Sequence, residues 1–439
     1  MESSADLNEL VDAVESALLK RWPESRIDPS LDRISLLCDA LGSPQLSYPT
    51  IHIGGTNGKT STTRMVDSLF RALDFRTGRF TSPHLESILE RISINNEPIT
   101  PEGFIGVYND IALYFDLVDS KSDHPVSFFE AITAMAFVAF AEFPVDIGVI
   151  EVGMGGEWDA TNVVNSDVSV ITPIGLDHVE YLGNTLEEIA RTKSGIIKPN
   201  SNVVLAAQEP GIAKILLEKA GMVDATPFRQ GAEFGVKSRA LAYGGQQISL
   251  AGIYGNYDEI FLPLYGAHQA ENASLALAAV EAFVGQELDH EAVAQGFANA
   301  TSPGRLEVAH SDPTVLIDAA HNPHGAVAMS KTLRDEFDFA ALYGVIAMLG
   351  DKDVAGFLEI MEPVLDRIIV TQNSSPRAMP VAELEKLAIS IFGPGRVSSE
   401  STLERAINRA IDESSTLNQV SELSNGVVVT GSVITAGEA

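Results

Sequence analysis

The sequence predicts an α/β protein in two parts. Residues 1–299 read as a P-loop domain built on a doubly wound, mostly parallel sheet, and 300–439 as a smaller Rossmann-like α/β domain. Three observations carry this. Short β-branched runs that stop at Gly, Asp, Glu or Thr alternate with helical stretches, the pattern of a parallel sheet covered on both faces. The first run leads straight into Gly54-Gly55-Thr56-Asn57-Gly58-Lys59-Thr60-Ser61. The alternation then pauses and restarts beyond a connector, Ala298 to Gly304, that holds Ser302-Pro303-Gly304.

The elements follow in order. Ile51-His52-Ile53 is the first strand. Met65, Val66, Leu69, Phe70 and Leu73 then recur at spacings of three and four, the apolar stripe of a helix. Phe128 to Phe143 is the most apolar stretch. It is too short for a membrane span and carries Glu130 and Glu142, so it reads as a buried helix. Ile147–Ile150, Val168–Ile171 and Val203–Leu205 are strands. Residues 225–265, with Tyr243-Gly244-Gly245 and Gly252, read as a small β insertion or a sheet edge. A helix from Ala270 to Phe283 ends this series. The second series has strands at Val315–Ile317, Tyr343–Met348, Ile368–Val370 and Val427–Val429, with helices near 324–337, 354–365, 381–392 and 402–416.

Composition narrows the function classes. Lys+Arg number 29 against Asp+Glu 60, a formal charge of −31. Nucleic acid and anionic membranes need a basic face, so neither is expected as a partner. Small anionic substrates remain possible, because a few local cations outweigh a global field. With 45% hydrophobic and 20% charged residues, the chain is globular. Cys38, beside Leu36, Leu37 and Leu41, reads as a small apolar helix residue; a lone cysteine makes no internal disulfide and suits a reducing compartment. Met1 to Asp6 has neither the basic start nor the apolar core of a secretory signal. The expectation is a soluble, cytoplasmic protein.

The Gly54–Ser61 run follows a strand and opens a helix. There, backbone N–H groups can cradle phosphate oxygens. Lys59 would neutralise β/γ-phosphates, and Thr60 or Ser61 would offer a hydroxyl to Mg²⁺. The usual first glycine of such a loop falls at Ile53, so this loop is a shortened variant. Glu151 ends the Ile147–Ile150 strand and precedes Gly153-Met154-Gly155-Gly156; Asp177-His178 follows the Val168–Ile171 strand. Ligands of open α/β sheets bind at the carboxyl ends of strands, so loop, carboxylate and imidazole share one edge. That set suits Mg²⁺ or Mn²⁺ held by few protein ligands, with phosphate oxygens supplying the rest. Taken alone, Glu151 could instead cap a helix and His178 could be a satisfied loop residue. Ser82-Pro83 by itself is a turn, and Lys193 by default a solvated helix lysine. In the second series, Asp318-Ala319-Ala320-His321-Asn322-Pro323 follows a strand. Asp318 there can bind ribose hydroxyls or orient a cation, and His321 can position a carboxylate or shuttle a proton. Asn322-Pro323 is also a good helix start on its own.

These motifs, with Thr81-Ser82-Pro83-His84-Leu85, Glu90-Arg91-Ile92, Asp159-Ala160-Thr161-Asn162, Gly175-Leu176-Asp177-His178 and Gly431-Ser432, resemble in order the folylpolyglutamate synthase/dihydrofolate synthase family of the Mur ligase superfamily. The resemblance implies an ATP-dependent ligase that adds L-glutamate to dihydropteroate and to tetrahydrofolates, working as a monomer on small molecules. It assigns ATP to Gly55, Asn57, Gly58, Lys59, Thr60, Ser61, Asn272, Arg305 and Asp318. It assigns Mg²⁺, two ions, to a site with Ser82, Glu151 and His178. It assigns the dihydropteroate pocket to Ser127, Phe128, Phe129, Glu130, Trp158, Asp159 and Ala160. Lys59, Lys193 and His321 become catalytic, Lys193 as a carboxylated lysine. Two positions depart from the family pattern: Thr60 replaces the common glycine after the loop lysine, and Trp158 stands where a smaller or basic residue is often found.

The implied chemistry is coherent. A carboxylate does not react with an amine at neutral pH. Phosphoryl transfer from ATP makes an acyl phosphate, which glutamate's amine attacks through a tetrahedral intermediate, releasing phosphate. The protein's part is to place substrates and neutralise two converging anions, with a second domain closing over them. Two other readings compete. A peptidoglycan-precursor Mur ligase places a nucleotide-sugar domain before the phosphate loop, where only 54 residues precede Gly55 here. A non-catalytic nucleotide-binding module would be free to lose Glu151, His178 or Lys193.

Overall fold

The computed structural model describes residues 4–23, 28–416 and 423–439; Met1, Glu2 and Ser3 of the N-terminal stretch lie outside the described residues. The chain forms two units. One holds Met1–Arg239, Gln247–Leu262 and Ala270–Ala300; the other holds Ala240–Gln246, Pro263–Gln269 and Thr301–Ala439.

The first unit centres on eight strands: β1 (Thr50–Gly54), β2 (Thr77–Phe80), β3 (Ile92–Ile94), β4 (Glu97–Pro98), β5 (Ile147–Glu151), β6 (Val168–Ile171), β7 (Asn202–Leu205) and β8 (Thr226–Arg229). Their order is β4-β3-β2-β5-β1-β6-β7-β8. The pairs from β2 to β8 are parallel, and β3 and β4 add an antiparallel edge. β1 therefore lies between β5 and β6, and the loops after all three open at one edge. The helices are α1 (Ser4–Leu19), α2 (Asp32–Ala40), α3 (Lys59–Ala72), α4 (Pro101–Asp119), α5 (Phe128–Glu142), α6 (Val179–Leu182), α7 (Leu186–Ser194), α8 (Pro210–Met222), α9 (Ala267–Val284) and α10 (His290–Ala298).

The stretch that reads as too apolar for a surface is α5, which buries Ala131 through Phe140. Its start is fixed by a capping box, in which the Ser127 hydroxyl accepts from Glu130 N and Glu130 accepts from Ser127 N. Two strand glycines let the layers close on each other. A Cβ at Gly78 would lie 2.6 Å from the Phe140 ring, and one at Gly148 would lie 2.8 Å from Tyr48. Burying Phe140 contributes about 2–3 kcal/mol. Gly78→Val would force this contact open. Cys38 is buried in α2, and burial pushes its thiol up to about 12, which leaves it inert.

Residues 225–265 turn out to be both things the sequence suggests. β8 extends the main sheet edge, while β9 (Gly235–Ala242), β10 (Gly245–Ala251) and β11 (Asn256–Leu262) make a separate three-stranded sheet.

The second unit has β12 (Arg305–Ser311), β13 (Thr314–Asp318), β14 (Leu342–Ile346), β15 (Arg367–Val370), β16 (Val397–Ser399) and β17 (Gly426–Thr430), in the order β12-β13-β17-β14-β15-β16. β12 is antiparallel to β13; the rest are parallel. Helices α11 (Pro323–Glu336), α12 (Val354–Met361), α13 (Val381–Phe392), α14 (Leu403–Thr416) and α15 (Val433–Gly437) complete it. Alternate strand residues feed two cores. Leu316, Ile368, Val370 and Val428 join Met329, Phe357 and Leu384 on one face; Val315, Ile369, Val427 and Val429 join Leu403 and Ala406 on the other. Among the described residues, no helix is long and apolar enough to cross a membrane.

Candidate active site

β1 ends at Gly54, and the chain turns through Gly55 (φ 137°) and Gly58 (φ 85°) into α3. Both turns need glycine. A Cβ on Gly55 would lie 1.9 Å from Thr172 Oγ1, and one on Gly58 would lie 2.5 Å from Asn272 Oδ1. The loop is tied to the segment after β6. Thr56 N and Asn57 N donate to Pro173 O at 3.0 and 3.4 Å. The Thr56 hydroxyl donates to Gly175 O and accepts from Gly175 N, each at 3.1 Å. α3 starts at Lys59, so its first N–H groups face the loop. Lys59 Nζ folds back to donate to Gly55 O (3.3 Å) and Thr56 O (3.1 Å).

Glu151 ends β5 and is 1% exposed. Its Oε1 accepts from Thr60 Oγ1 at 2.8 Å, so of the two candidate hydroxyls it is Thr60 that meets this carboxylate. Lys193 is no solvated lysine. It sits in the last turn of α7, 4% exposed, and its Nζ donates to Gly55 O at 2.7 Å. Burial, then the nearby Lys59 charge, push its amine down to about 7. The turn after Glu151 packs closely on α7, because Cβ atoms on Gly156 and Gly195 would strike Thr192 O at 2.8 Å and Glu157 Cα at 2.4 Å.

His178 holds a left-handed backbone (φ 49°) just before α6, with its ring partly exposed and Nε2 3.8 Å from Asp177 Oδ2. Ser82 lies half-buried in a loop that Glu90 clamps. The Glu90 carboxylate accepts from Leu85 N (3.0 Å), Glu86 N (2.9 Å) and Ser87 N (2.8 Å). Burial raises Glu90, but these three bonds outweigh it and hold the group below its ordinary value. Arg91 Nε donates to His84 Nδ1 at 3.0 Å, and its guanidinium lies 5.0 Å from the Phe128 ring centre.

Of the residues assigned to the substrate pocket, Phe129 packs on Gly153, where a Cβ would lie 2.4 Å from its ring, and Trp158 lies against Gly155. Phe128 and Ala160 are buried. The two acids are engaged by protein. Glu130 accepts from Ser127 N at 2.7 Å and from Arg33 Nε at 3.1 and 3.2 Å. Asp159 accepts from Met154 N (2.8 Å), Thr161 N (3.0 Å) and Thr161 Oγ1 (2.5 Å). Burial raises Asp159 above its ordinary value, while bonds from Met154, Thr161 and Gly153 oppose it. Sequence reasoning passed over Arg33, which carries no local signal, and the Glu90 clamp, whose signal was the Ser87-x-x-Glu90 capping-box spacing. It also passed over His52, whose signal was a polar residue inside an apolar strand.

In the second unit, Asp318 ends β13, paired in register with Arg305 of β12. Its oxygens accept from Leu306 N (2.9 Å) and Ala320 N (2.8 Å). Burial raises its carboxyl, and Arg305 opposes the rise. His321 Nδ1 lies 3.0 Å from Ala319 O. A carbonyl only accepts, so Nδ1 carries a proton. Asn322 caps α11 through Gly325 N at 2.8 Å, with Pro323 as the first helical residue. A buried trio also lies here: Asn373 Nδ2 donates to Ser432 Oγ (3.0 Å) and Thr435 Oγ1 (2.9 Å).

Among the described residues, no three His, Cys, Asp or Glu side chains converge as a metal cage. A divalent cation at the Glu151 edge would thus depend on phosphate oxygens and water for most of its shell. That is how Mg²⁺ is commonly held, and the buried carboxylate and adjacent hydroxyl fit it.

A phosphate loop and an acid at adjoining strand ends, a buried α7 lysine against that loop, and a second, mostly parallel α/β unit define a nucleotide-dependent ligase. The description "Mur ligase middle domain" matches residues 53–280, and "Mur ligase, glutamate ligase domain" matches 304–433. The chain is 52% identical over 449 residues to a Mycobacterium tuberculosis protein named dihydrofolate synthase/folylpolyglutamate synthase, covering 97% of this chain and 92% of that one. Mycobacterium tuberculosis folylpolyglutamate synthase complexed with ADP superposes with a TM-score of 0.95 at 51% identity over 98% of each chain. Escherichia coli FolC in complex with DHPP and ADP gives a TM-score of 0.84 at 28% identity, over 98% of this chain and 96% of that one. The protein belongs to the dihydrofolate synthase/folylpolyglutamate synthase family of Mur ligases.

Proposed function

We propose that this enzyme uses ATP to join L-glutamate to dihydropteroate, and also to extend tetrahydrofolates with glutamate, as a cytoplasmic monomer. The observation that carries this is Lys193, buried against Gly55 of the phosphate loop, whose Thr60 is held in turn by the strand-end Glu151. A nucleotide-binding module needs neither residue there; a reaction that brings two anions together needs both.

Gly55, Asn57, Gly58, Lys59, Thr60, Ser61 and Asn272 bind the nucleotide, and the resemblance adds Arg305 and Asp318 to its contacts. Ser127, Phe128, Phe129, Glu130, Trp158, Asp159 and Ala160 form the pteridine pocket. Lys59 neutralises the γ-phosphoryl group as it passes to the substrate carboxylate, giving an acyl phosphate and ADP. The amine of glutamate, as the free base, attacks the acyl carbon; a tetrahedral intermediate forms, the C–O bond to phosphate breaks, and the nitrogen loses a proton. His321 shuttles this proton or positions glutamate's carboxylate. Mg²⁺, two ions, would be held by Ser82, Glu151 and His178, and would supply positive charge to offset that of the two anions.

Lys193 acts as its carbamate. An amine brought down to about 7 has a substantial free-base fraction near neutral pH. The neutral nitrogen adds to the carbon of CO₂ and loses a proton. The product replaces a cation beside Lys59 with an anion.

The test is phosphate release from ATP with dihydropteroate plus glutamate, with tetrahydrofolate plus glutamate, with a UDP-muramoyl substrate plus amino acid, or with no acceptor. Turnover in the first two arms is expected. Turnover with tetrahydrofolate alone reduces the enzyme to a folylpolyglutamate synthase, and turnover only with the muramoyl substrate refutes the folate reading.

A further inference from the structure

We propose that His52 is a positioning residue for the pteridine-side substrate, acting through Thr161 on Asp159. The inference rests on the substrate pocket assigned above. It starts from an oddity of β1. The strand is buried along its whole length, and apolar residues stand on both sides of His52, yet the imidazole at its centre is wholly buried. Its Nε2 lies 2.8 Å from Thr161 Oγ1, which donates onward to Asp159 Oδ1 at 2.5 Å. Its Nδ1 finds no hydrogen-bond partner among the described residues.

The directions of these bonds are fixed by chemistry. Asp159 Oδ1 accepts from Thr161 N, and Oδ2 accepts from Met154 N. With both oxygens accepting backbone N–H groups, the carboxylate takes the single hydroxyl proton of Thr161 as well. The hydroxyl can then only accept from His52, so Nε2 carries the imidazole proton and Nδ1 is bare. Burial, and then the Lys198 charge, push His52 well below its ordinary value, which keeps the ring neutral.

A bare, buried Nδ1 destabilises the fold, and a valine or isoleucine would suit a fully buried strand better. What the histidine supplies in exchange is one directed N–H. Its effect reaches the site along bonds. Asp159 holds Met154 N in the turn that follows Glu151, and Trp158 and Ala160 flank Asp159 in the pocket. The Asp159 carboxylate is itself occupied by protein donors, so its work is to hold this turn in shape. Fixing the Thr161 hydroxyl therefore fixes the wall against which the pteridine rests. The same strand delivers the phosphate loop two residues later, and the ATP side of that loop makes no use of the imidazole.

The test is steady-state kinetics of His52→Leu, Thr161→Val, Thr161→Ser and the His52→Leu/Thr161→Val double variant, with dihydropteroate and ATP varied separately. His52→Leu and Thr161→Val should each raise KM for dihydropteroate about tenfold, roughly the worth of one hydrogen bond, with KM for ATP nearly unchanged. Thr161→Ser, which keeps the hydroxyl, should stay close to wild type. The double variant should be no worse than Thr161→Val, because both changes cut one chain. An unchanged KM for dihydropteroate, an equal rise in both KM values, or multiplying effects would overturn the proposal. Nitrogen-15 NMR of wild-type imidazoles supplies a readout independent of whether the variants fold. His52 should be a neutral Nε2–H tautomer at pH 7, and an Nδ1–H tautomer or an imidazolium would refute the relay. Wild-type enzyme that never transfers glutamate to dihydropteroate would sink the pocket assignment instead, and the tautomer would still decide the relay.

Discussion

Lys193→Met should make the CO₂-free protein more stable and the enzyme inactive. In the unfolded chain the amine titrates near 10.5; in the folded protein it is down at about 7, by burial first and Lys59 second. Between those values the unfolded chain holds a proton that the folded one lacks. The stability of unmodified protein therefore rises with pH across that window and is lowest at and below pH 7. At pH 7.5 the deficit is about 4 kcal/mol. Methionine keeps much of the length, removes the titration, and forfeits the bond to Gly55 O, worth about 1 kcal/mol. The net expectation is a gain of up to about 3 kcal/mol over bicarbonate-stripped wild type. Bicarbonate should stabilise wild type, since it modifies the folded state alone, and should do nothing to the variant. Thermal unfolding at pH 7, 8 and 9, with and without bicarbonate and with activity measured alongside, reads all of this. A variant less stable than stripped wild type at pH 7.5, or one with the same slope against pH, would refute the electrostatic account. The carbamate has its own check: Lys193→Ala should recover some turnover with a short carboxylic acid.

Glu151→Gln and His178→Ala should each abolish turnover with the melting temperature within a few degrees of wild type; near-normal rates at low Mg²⁺ in either would show that the metal is held elsewhere. Glu90→Ala removes the acceptor of three N–H groups from the loop carrying Ser82. It should raise the Mg²⁺ concentration for half-maximal rate about tenfold, the worth of one lost ligand bond, and an unchanged Mg²⁺ titration would free Ser82 of its role. Glu281→Ala leaves Tyr254 N, Gly255 N and Tyr257 Oη without their shared acceptor. It should lower stability by about 3 kcal/mol in chemical denaturation while KM for ATP holds steady.

Legibility of the fold tracked how each strand is stabilised. β1, β5, β6, β13 and β17 are near-continuous β-branched runs because both sheet faces are covered, so composition alone finds them. β2 is Thr77-Gly78-Arg79-Phe80, which has no run of β-branched apolar residues. It is a strand because partners far away in sequence make it one. Asp67 of α3 takes Arg79 at 2.8 Å, Ser93 of β3 takes it at 3.1 Å, and Phe140 of α5 covers Gly78. No local pattern encodes a buried ion pair. β12, just past the Ala298–Gly304 connector, has no such run either: it is exposed from Glu307 to Ser311, and its pairing with β13 gives it shape. Tyr343–Met348 was read too long, because β14 stops at Ile346 and the buried residues beyond it belong to a loop.

The site divides along a different line. Glycines and the loop lysine are legible because their reasons are local: Gly55 and Gly58 have positive φ and neighbours that forbid a side chain, and Lys59 opens a helix. Acids are not legible in this way. Glu90, Glu130, Glu151 and Asp159 all stand in the motifs, and a motif cannot say whether a carboxylate faces a ligand or its own backbone. Glu90 takes three N–H groups of the Ser82 loop, Glu130 takes Arg33 and its own helix cap, and Asp159 takes the Gly153–Thr161 turn. Glu151 differs, because its Oε1 accepts from a hydroxyl, that of Thr60, at the mouth of the phosphate loop. In a chain with a net charge of −31, this sorting has a physical consequence. Carboxylates tied to backbone N–H groups or to Arg33 have their charge locally compensated, and Lys59 and the start of α3 are positive groups at the phosphate loop. A site able to receive ATP and a second anion can thus sit in a strongly acidic protein, because most of its motif acids are already answered by the backbone.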